Sequence, residues 1–196
     1  MSWKLPSIVL VLVLGAALAQ PLQETPAVTS AVRKTAAKER ILVQEVRLNA
    51  PVEEAWAAYT TETGWSAWSS PVVAIDLRVA GTIRTNYDVS AKIEDPGTNT
   101  LRILNYVPNE VLTLKAEVEG ELQGVIAEDI DKMSNVILFD AVSAEECRIR
   151  SFGIGYRDIP EYDGILDYFT TANEELLMHM KRYVEDGVRR SWEKKQ

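Results

Sequence analysis

Seven short segments of alternating apolar and polar residues precede one long amphipathic helix, and few folds can bury that combination. The helix reads from about Tyr162 to Glu185. At about 100° per residue, Ile165, Phe169, Ala172, Leu176, Met180 and Tyr183 gather on one face. Asp167, Glu174, Lys181 and Glu185 lie opposite, and Gly187 is placed to end the helix. A sheet and a single helix, each apolar on one side, must bury those sides against each other. The expected class is therefore α+β: a curved antiparallel sheet of six to seven strands with the helix across its concave face.

The strands read as follows. Ile41 to Leu48 alternates toward its end, with Val46 and Leu48 on one side and Glu45 and Arg47 on the other. Pro51 then sits at a natural first helical position, with Glu53 and Glu54 in the first turn. Val52, Ala55, Trp56 and Tyr59 give that helix one apolar face, and Thr63-Gly64 is read as its end. Trp65 and Trp68 fall in a second short segment that stops at Pro71. Alternating runs follow at Val73 to Leu77 and Gly81 to Tyr87, before a turn at Asp95-Pro96-Gly97. Leu101 to Val107 and Val111 to Val118 flank Pro108-Asn109-Glu110 as a hairpin. Residues 119 to 133 read as an acidic loop with a helical turn. Asn135 to Val142 and Cys147 to Ile154 make the last hairpin.

The first 19 residues have the features of a secretory signal peptide. Lys4 supplies the positive start, Ile8 to Ala19 is an uncharged apolar run, and Ala17-Leu18-Ala19 offers the small residues that signal peptidase accepts. The run is shorter than the roughly 20 residues of a spanning helix, so no stable membrane anchor is expected after cleavage. Residues 20–40 hold two prolines with Thr, Ser and mixed charge, and read as a flexible leader with a poorly ordered short helix over 31–39. The expected organisation is thus a signal peptide over 1–19, a leader over 20–40, a domain over 41–187 and a solvated tail over 188–196. With 29 acidic against 21 basic residues, the chain is a poor match for nucleic acid or anionic membrane surfaces.

The stretch Asn49-Ala-Pro-Val-Glu-Glu-Ala-Trp56-Ala-Ala-Tyr-Thr-Thr61 resembles the opening of the START-like, or SRPBCC, superfamily. Asp76-Leu-Arg-Val-Ala-Gly81-Thr-Ile-Arg84 is similar to the strand-turn-strand of its branch related to the C-terminal domain of heat-shock ATPase activators. Pro108-Asn-Glu-Val-Leu-Thr-Leu114 and the helix after Tyr162 fit the same pattern, so the resemblance spans residues 41 to 187. It implies a helix-grip fold with a cavity between sheet and C-terminal helix. Members bind lipids, sterols, polyketides or other hydrophobic molecules, and a few are cyclases or dehydratases. No chaperone-docking domain is read from these residues and an export signal is expected, so the chaperone-activator role is not expected to transfer.

Charged side chains are expected to point outward, since an unpaired buried charge is very costly, and they fix the strand faces. Arg84 outward places Ile83, Thr85 and Tyr87 inward, and Arg102 outward places Asn105 inward. Arg148 and Arg150 outward place Cys147, Ile149 and Ser151 inward. Phe169, Asn173 and Leu176 of the helix face them. These ten residues are the candidate cavity lining, apolar walls with a few polar groups. Equally, Thr85, Asn105, Ser151 and Asn173 are the groups that satisfy one another in an ordinary core.

Catalytic and metal signals are weak. His179, the only histidine, stands four residues from Glu175 and reads as a helix-surface residue. Cys147, the only cysteine, excludes an intrachain disulfide and reads as a small buried hydrophobe. Glu128, Asp129 and Asp131 lack the ordered spacing of a calcium loop and read as a solvated acidic stretch. No catalytic residue, metal or cofactor is assigned. The leading expectation is an exported binding protein for a hydrophobic small molecule. A cyclase- or dehydratase-like enzyme, in which Tyr87, Asn105 and Asn173 polarise a bound carbonyl, and a protein-interaction module remain open beside it.

Overall fold

A computed structural model describes residues 27–117 and 124–192. The expected signal peptide over 1–19, the start of the leader and the last four tail residues lie outside the described residues. The elements run β1 (Val28–Lys34), β2 (Glu39–Leu48), α1 (Val52–Thr60), α2 (Glu62–Trp68), β3 (Val72–Ile75) and β4 (Thr82–Asn86). They continue with β5 (Asn99–Val107), β6 (Val111–Glu117), α3 (Gly124–Asp129), β7 (Ser134–Ala141), β8 (Cys147–Arg157) and α4 (Asp163–Asp186). All eight strands form one antiparallel sheet, in the order β1-β2-β8-β7-β6-β5-β4-β3. With α4 packed on it, this is the helix-grip arrangement.

The eighth strand corrects the leader. Residues 28–34 are not flexible chain or helix but pair with β2 from Val28↔Val46 to Lys34↔Arg40, turning at Thr35 to Lys38. Val28 is buried and joins the core, Ser30 is half-buried, and the remaining residues of β1 are an exposed sheet edge. Its Thr-Ser-Ala composition carries no alternation, because backbone pairing rather than side-chain burial holds it.

The first helix also ends differently from expectation. α1 stops at Thr60, and Thr61 caps α2 by accepting the Gly64 N–H through its side chain at 3.0 Å. Gly64 therefore lies inside α2, where the backbone of Ala57 and Ala58 leaves no space for a Cβ. α4 ends as read, at Gly187 in the left-handed conformation (φ 69°). Of its most buried residues, Met180 is on the predicted face, while Leu166 and Leu177 lie one position on from the predicted Ile165 and Leu176. The tail is not simply solvated. Arg190 N donates to Ala67 O at 2.7 Å and the Trp192 indole to Ser66 O at 3.1 Å, so residues 188–192 fold back along α2.

Apolar side chains gather in two clusters. The larger holds Leu48, Ala55, Ile83, Ile103, Leu112, Cys147, Ile149 and Met180, each fully enclosed between sheet, α1 and the C-terminal half of α4. The smaller holds Leu42, Tyr156, Tyr162 and Leu166, with Met133 and Phe169 against it. The closest approaches of α4 to the sheet are to β1 and β2. The concave face of β6 and β7 is therefore not covered by α4; α1 covers only part of β7, where Trp56 and Tyr59 meet Phe139 edge-on.

Candidate functional site

Between the two clusters lies a cavity of about 500 Å³, bounded by the sheet, α2, α3 and the N-terminal half of α4. That size suits a small organic molecule. Its floor is built by strand alternation. Leu114, Ile137, Ser151 and Gly153 point to the concave face because their neighbours Lys115, Leu138, Arg150 and Phe152 take the other. Arg148 and Arg150 are held on that outer face by Asp140, at 3.1 and 2.7 Å.

One wall is aromatic. Tyr59, Trp65 and Trp68 pack with ring centroids 5.0 to 5.9 Å apart, and all three border the cavity. The Trp68 indole donates to Ala58 O at 2.9 Å, whereas Trp65 Nε1 is buried with no hydrogen-bond partner. The opposite wall comes from Ile126, Ile130 and Met133, which α3 and its following turn bring over the sheet. That wall is clasped from behind. Asp129 is 1% exposed and receives bonds from Arg157 Nε at 2.5 Å, Tyr162 OH at 3.0 Å and Lys132 Nζ at 3.1 Å. Burial pushes its carboxyl up, but these three donors outweigh that and hold it below the usual carboxylate range. The solvated acidic loop expected here is thus corrected at Asp129, whose charge anchors α3 to β8 and α4.

The ten residues proposed from sequence divide into three groups. Tyr87, Ser151, Phe169, Asn173 and Leu176 line the cavity, with Tyr87 half exposed at its rim. Ile83, Thr85, Cys147 and Ile149 face inward but are sealed in packed interior away from it. Cys147 is pinned near Pro51 O, and burial pushes its thiol up to about 11. Asn105 is the error of direction. The pairing of β5 with β6 slips between Ile103 and Asn105, so Leu104 is an extra residue. Tyr106 consequently takes the inner face against Trp56, and Asn105 turns outward to accept from Thr113 Oγ1 at 2.9 Å.

Polar lining that the sequence reading missed comes from β2 and β7. Gln44 is 1% exposed, and its Nε2 donates to Ser30 Oγ at 3.1 Å and Thr170 O at 3.2 Å. Ser151 Oγ donates to Asn135 Oδ1 at 2.9 Å. Alternation along Ile41 to Leu48 was a usable signal for Gln44, which lies in step with Leu42 and Val46. Burial pushes the phenols of Tyr59 and Tyr156 above their ordinary range, so both stay neutral donors. No charged side chain lines the cavity among the described residues.

His179 lies elsewhere, 3.6 Å from Glu175, and burial, with Arg190 nearby, lowers its pKa. Among the described residues no group of three or more His, Cys, Asp or Glu is placed to hold a metal ion. No described helix is long and apolar enough to cross a membrane.

No family model matches the chain, and no curated protein matches it. Solved structures do. The chain is similar to the Aha1 dimer from Colwellia psychrerythraea, at 16% identity and a TM-score of 0.59 over 75% of this chain and 97% of that one. It is similar to CalU16 from Micromonospora echinospora, at 17% identity and a TM-score of 0.57 over 81% and 84%. It is also similar to EF2215, a conserved protein of unknown function from Enterococcus faecalis, at 14% identity and a TM-score of 0.57 over 86% and 83%. At these identities the likeness shows the fold alone.

Proposed function

We infer that this chain is an exported START-like protein that binds a small, largely apolar molecule between its sheet and α4. The cavity carries the reading: about 500 Å³ with aliphatic and aromatic walls and a few placed amides and hydroxyls. Such a space is costly to maintain in a core, because close packing is what stabilises interiors. A ligand of matching shape recovers the lost contacts and buries apolar area at about 25 cal/mol per Å². Likeness in fold to proteins of the same architecture supports the family assignment, and the apolar run before Ala17-Leu18-Ala19 supports export.

Native mass spectrometry of protein purified from its own host tests the reading. The expected species carries one non-covalent adduct of a few hundred daltons on a chain that begins at Gln20. Protein that is ligand-free and also refuses a neutral solvatochromic dye such as Nile red would contradict it.

A further inference from the structure

Three of the cavity's polar groups lie together on the sheet. Gln44 on β2 and Ser151 on β8 are register partners, and Asn135 on β7 pairs with Gly153, two residues beyond Ser151. The three form a stripe across the concave face at the floor of the cavity, apart from the other polar lining at Ser69, Ser134 and Asn173 and the tyrosine hydroxyls. Two of them are more than nine-tenths buried, Gln44 at 1% and Ser151 at 8% exposure. Their bonds fix their orientation. Gln44 spends its N–H groups on Ser30 and Thr170. Ser151 spends its O–H on Asn135 Oδ1. The Asn135 amide is thereby turned so that its Nδ2 donors have no acceptor among the described residues.

We propose that the cavity selects an uncharged ligand carrying a carbonyl-type oxygen, which the Asn135 amide receives. This rests on the binding function inferred above and names the ligand chemistry of that same site. An apolar molecule that displaces solvent from the stripe leaves an amide donor buried and unpaired, which costs affinity. A molecule with an acceptor oxygen at that point avoids the cost. A carboxylate gains no more, because no Lys, Arg or His lines the cavity among the described residues to offset its desolvation. A cation meets no lining Asp or Glu among them either. The discrimination is of the kind in which a site built to hydrogen-bond rejects analogues lacking the group.

The test uses three probes of nearly one shape: 2-acetylnaphthalene, 2-isopropenylnaphthalene and 2-naphthoate, each displacing Nile red at neutral pH. The ketone is expected to bind roughly threefold to tenfold tighter than the alkene, the range of one neutral hydrogen bond. Naphthoate is expected to bind roughly tenfold or more weaker than the ketone. Asn135→Leu removes both N–H donors without adding a charge, so the ketone should lose its advantage over the alkene. Should that variant fail to fold, the carbonyl stretch of ¹³C-labelled ketone bound to the unaltered protein gives a second readout. It should fall below its frequency in cyclohexane. Equal binding of ketone and alkene, tighter binding of naphthoate, or an unshifted carbonyl band would overturn the proposal while leaving the cavity reading intact. Failure of Nile red and all three probes would overturn both.

Discussion

Strand β8 crosses two regions that share an apolar character and differ in what lies above them. At Cys147 and Ile149 the space over the sheet is filled by α1 and the C-terminal half of α4, and both side chains are almost wholly enclosed. At Ser151 and Gly153, a few residues along the same face, α1 has ended and α4 leans toward β1 and β2. Tyr156 and Leu42 lie against Gly153, and beyond them a cavity remains, rimmed by α3, Phe169 and Asn173. The difference teaches that burial in this fold is decided by the element opposite, not by the strand that carries the residue. The same alternation along β8 makes solid core at one end and a binding space at the other.

The sharpest break of that contrast is truncation in the solid half. Ile149→Ala should cost roughly 2–5 kcal/mol, because its neighbours cannot collapse into the space left. It should leave uptake of Nile red unchanged. Denaturant midpoints and dye titration together check this, and a loss of dye binding would mean that the two regions are not independent.

Next in size is Asp129→Asn, which loosens the far wall of the cavity instead of its floor. Arg157 loses its short partner and the Tyr162 hydroxyl loses its carboxylate acceptor. A cost of roughly 1–3 kcal/mol is expected from losing a buried charged acceptor, with Arg157 keeping Glu128 and the Tyr162 hydroxyl keeping Val125 O. Asp129's folded pKa lies below its unfolded value. Its contribution is therefore complete above the ordinary carboxylate pKa and is lost as pH falls through the depressed folded value. The variant should flatten that part of the acid limb in a stability-against-pH profile. A profile that stays parallel to the parent's would remove Asp129 from the account.

How much of this was legible in the sequence follows the same division. Helix α4, both hairpins and the inward set Cys147, Ile149 and Ser151 were readable, because each face is fixed by charged neighbours on the other. The sequence could not separate Ile149 from Ser151 as core against cavity, since that depends on where α1 ends. Asn105 was misread because a one-residue bulge leaves no mark in composition yet reverses every side chain beyond it. β1 was missed because an edge strand held by backbone pairing needs no apolar pattern. Asp129 was missed because its partners, Arg157 and Tyr162, are 28 and 33 residues away along the chain.

The smallest expected effect marks what lies outside both regions. His179→Gln removes a pairing with an exposed glutamate at 3.6 Å. It should change stability by less than about 0.5 kcal/mol and leave dye binding as it was. A large loss of binding would put His179 in the site after all.

One paired measurement reaches the central claim, that a packed core and a ligand cavity share a single strand face. Phenylalanine is placed at each in turn, as Ile149→Phe and Ser151→Phe, and both variants are followed by denaturant midpoint and Nile red uptake. In the solid half a phenyl ring has nowhere to go, and overpacking should cost roughly 1–3 kcal/mol with dye binding retained. In the cavity the ring occupies existing space and buries apolar area, offsetting the hydrogen bond lost to Asn135. Ser151→Phe should then stay within about 1 kcal/mol of the parent while abolishing dye uptake. Equal destabilisation at both positions, with a parent that never takes up the dye, would contradict the account and make the whole interior one solid core.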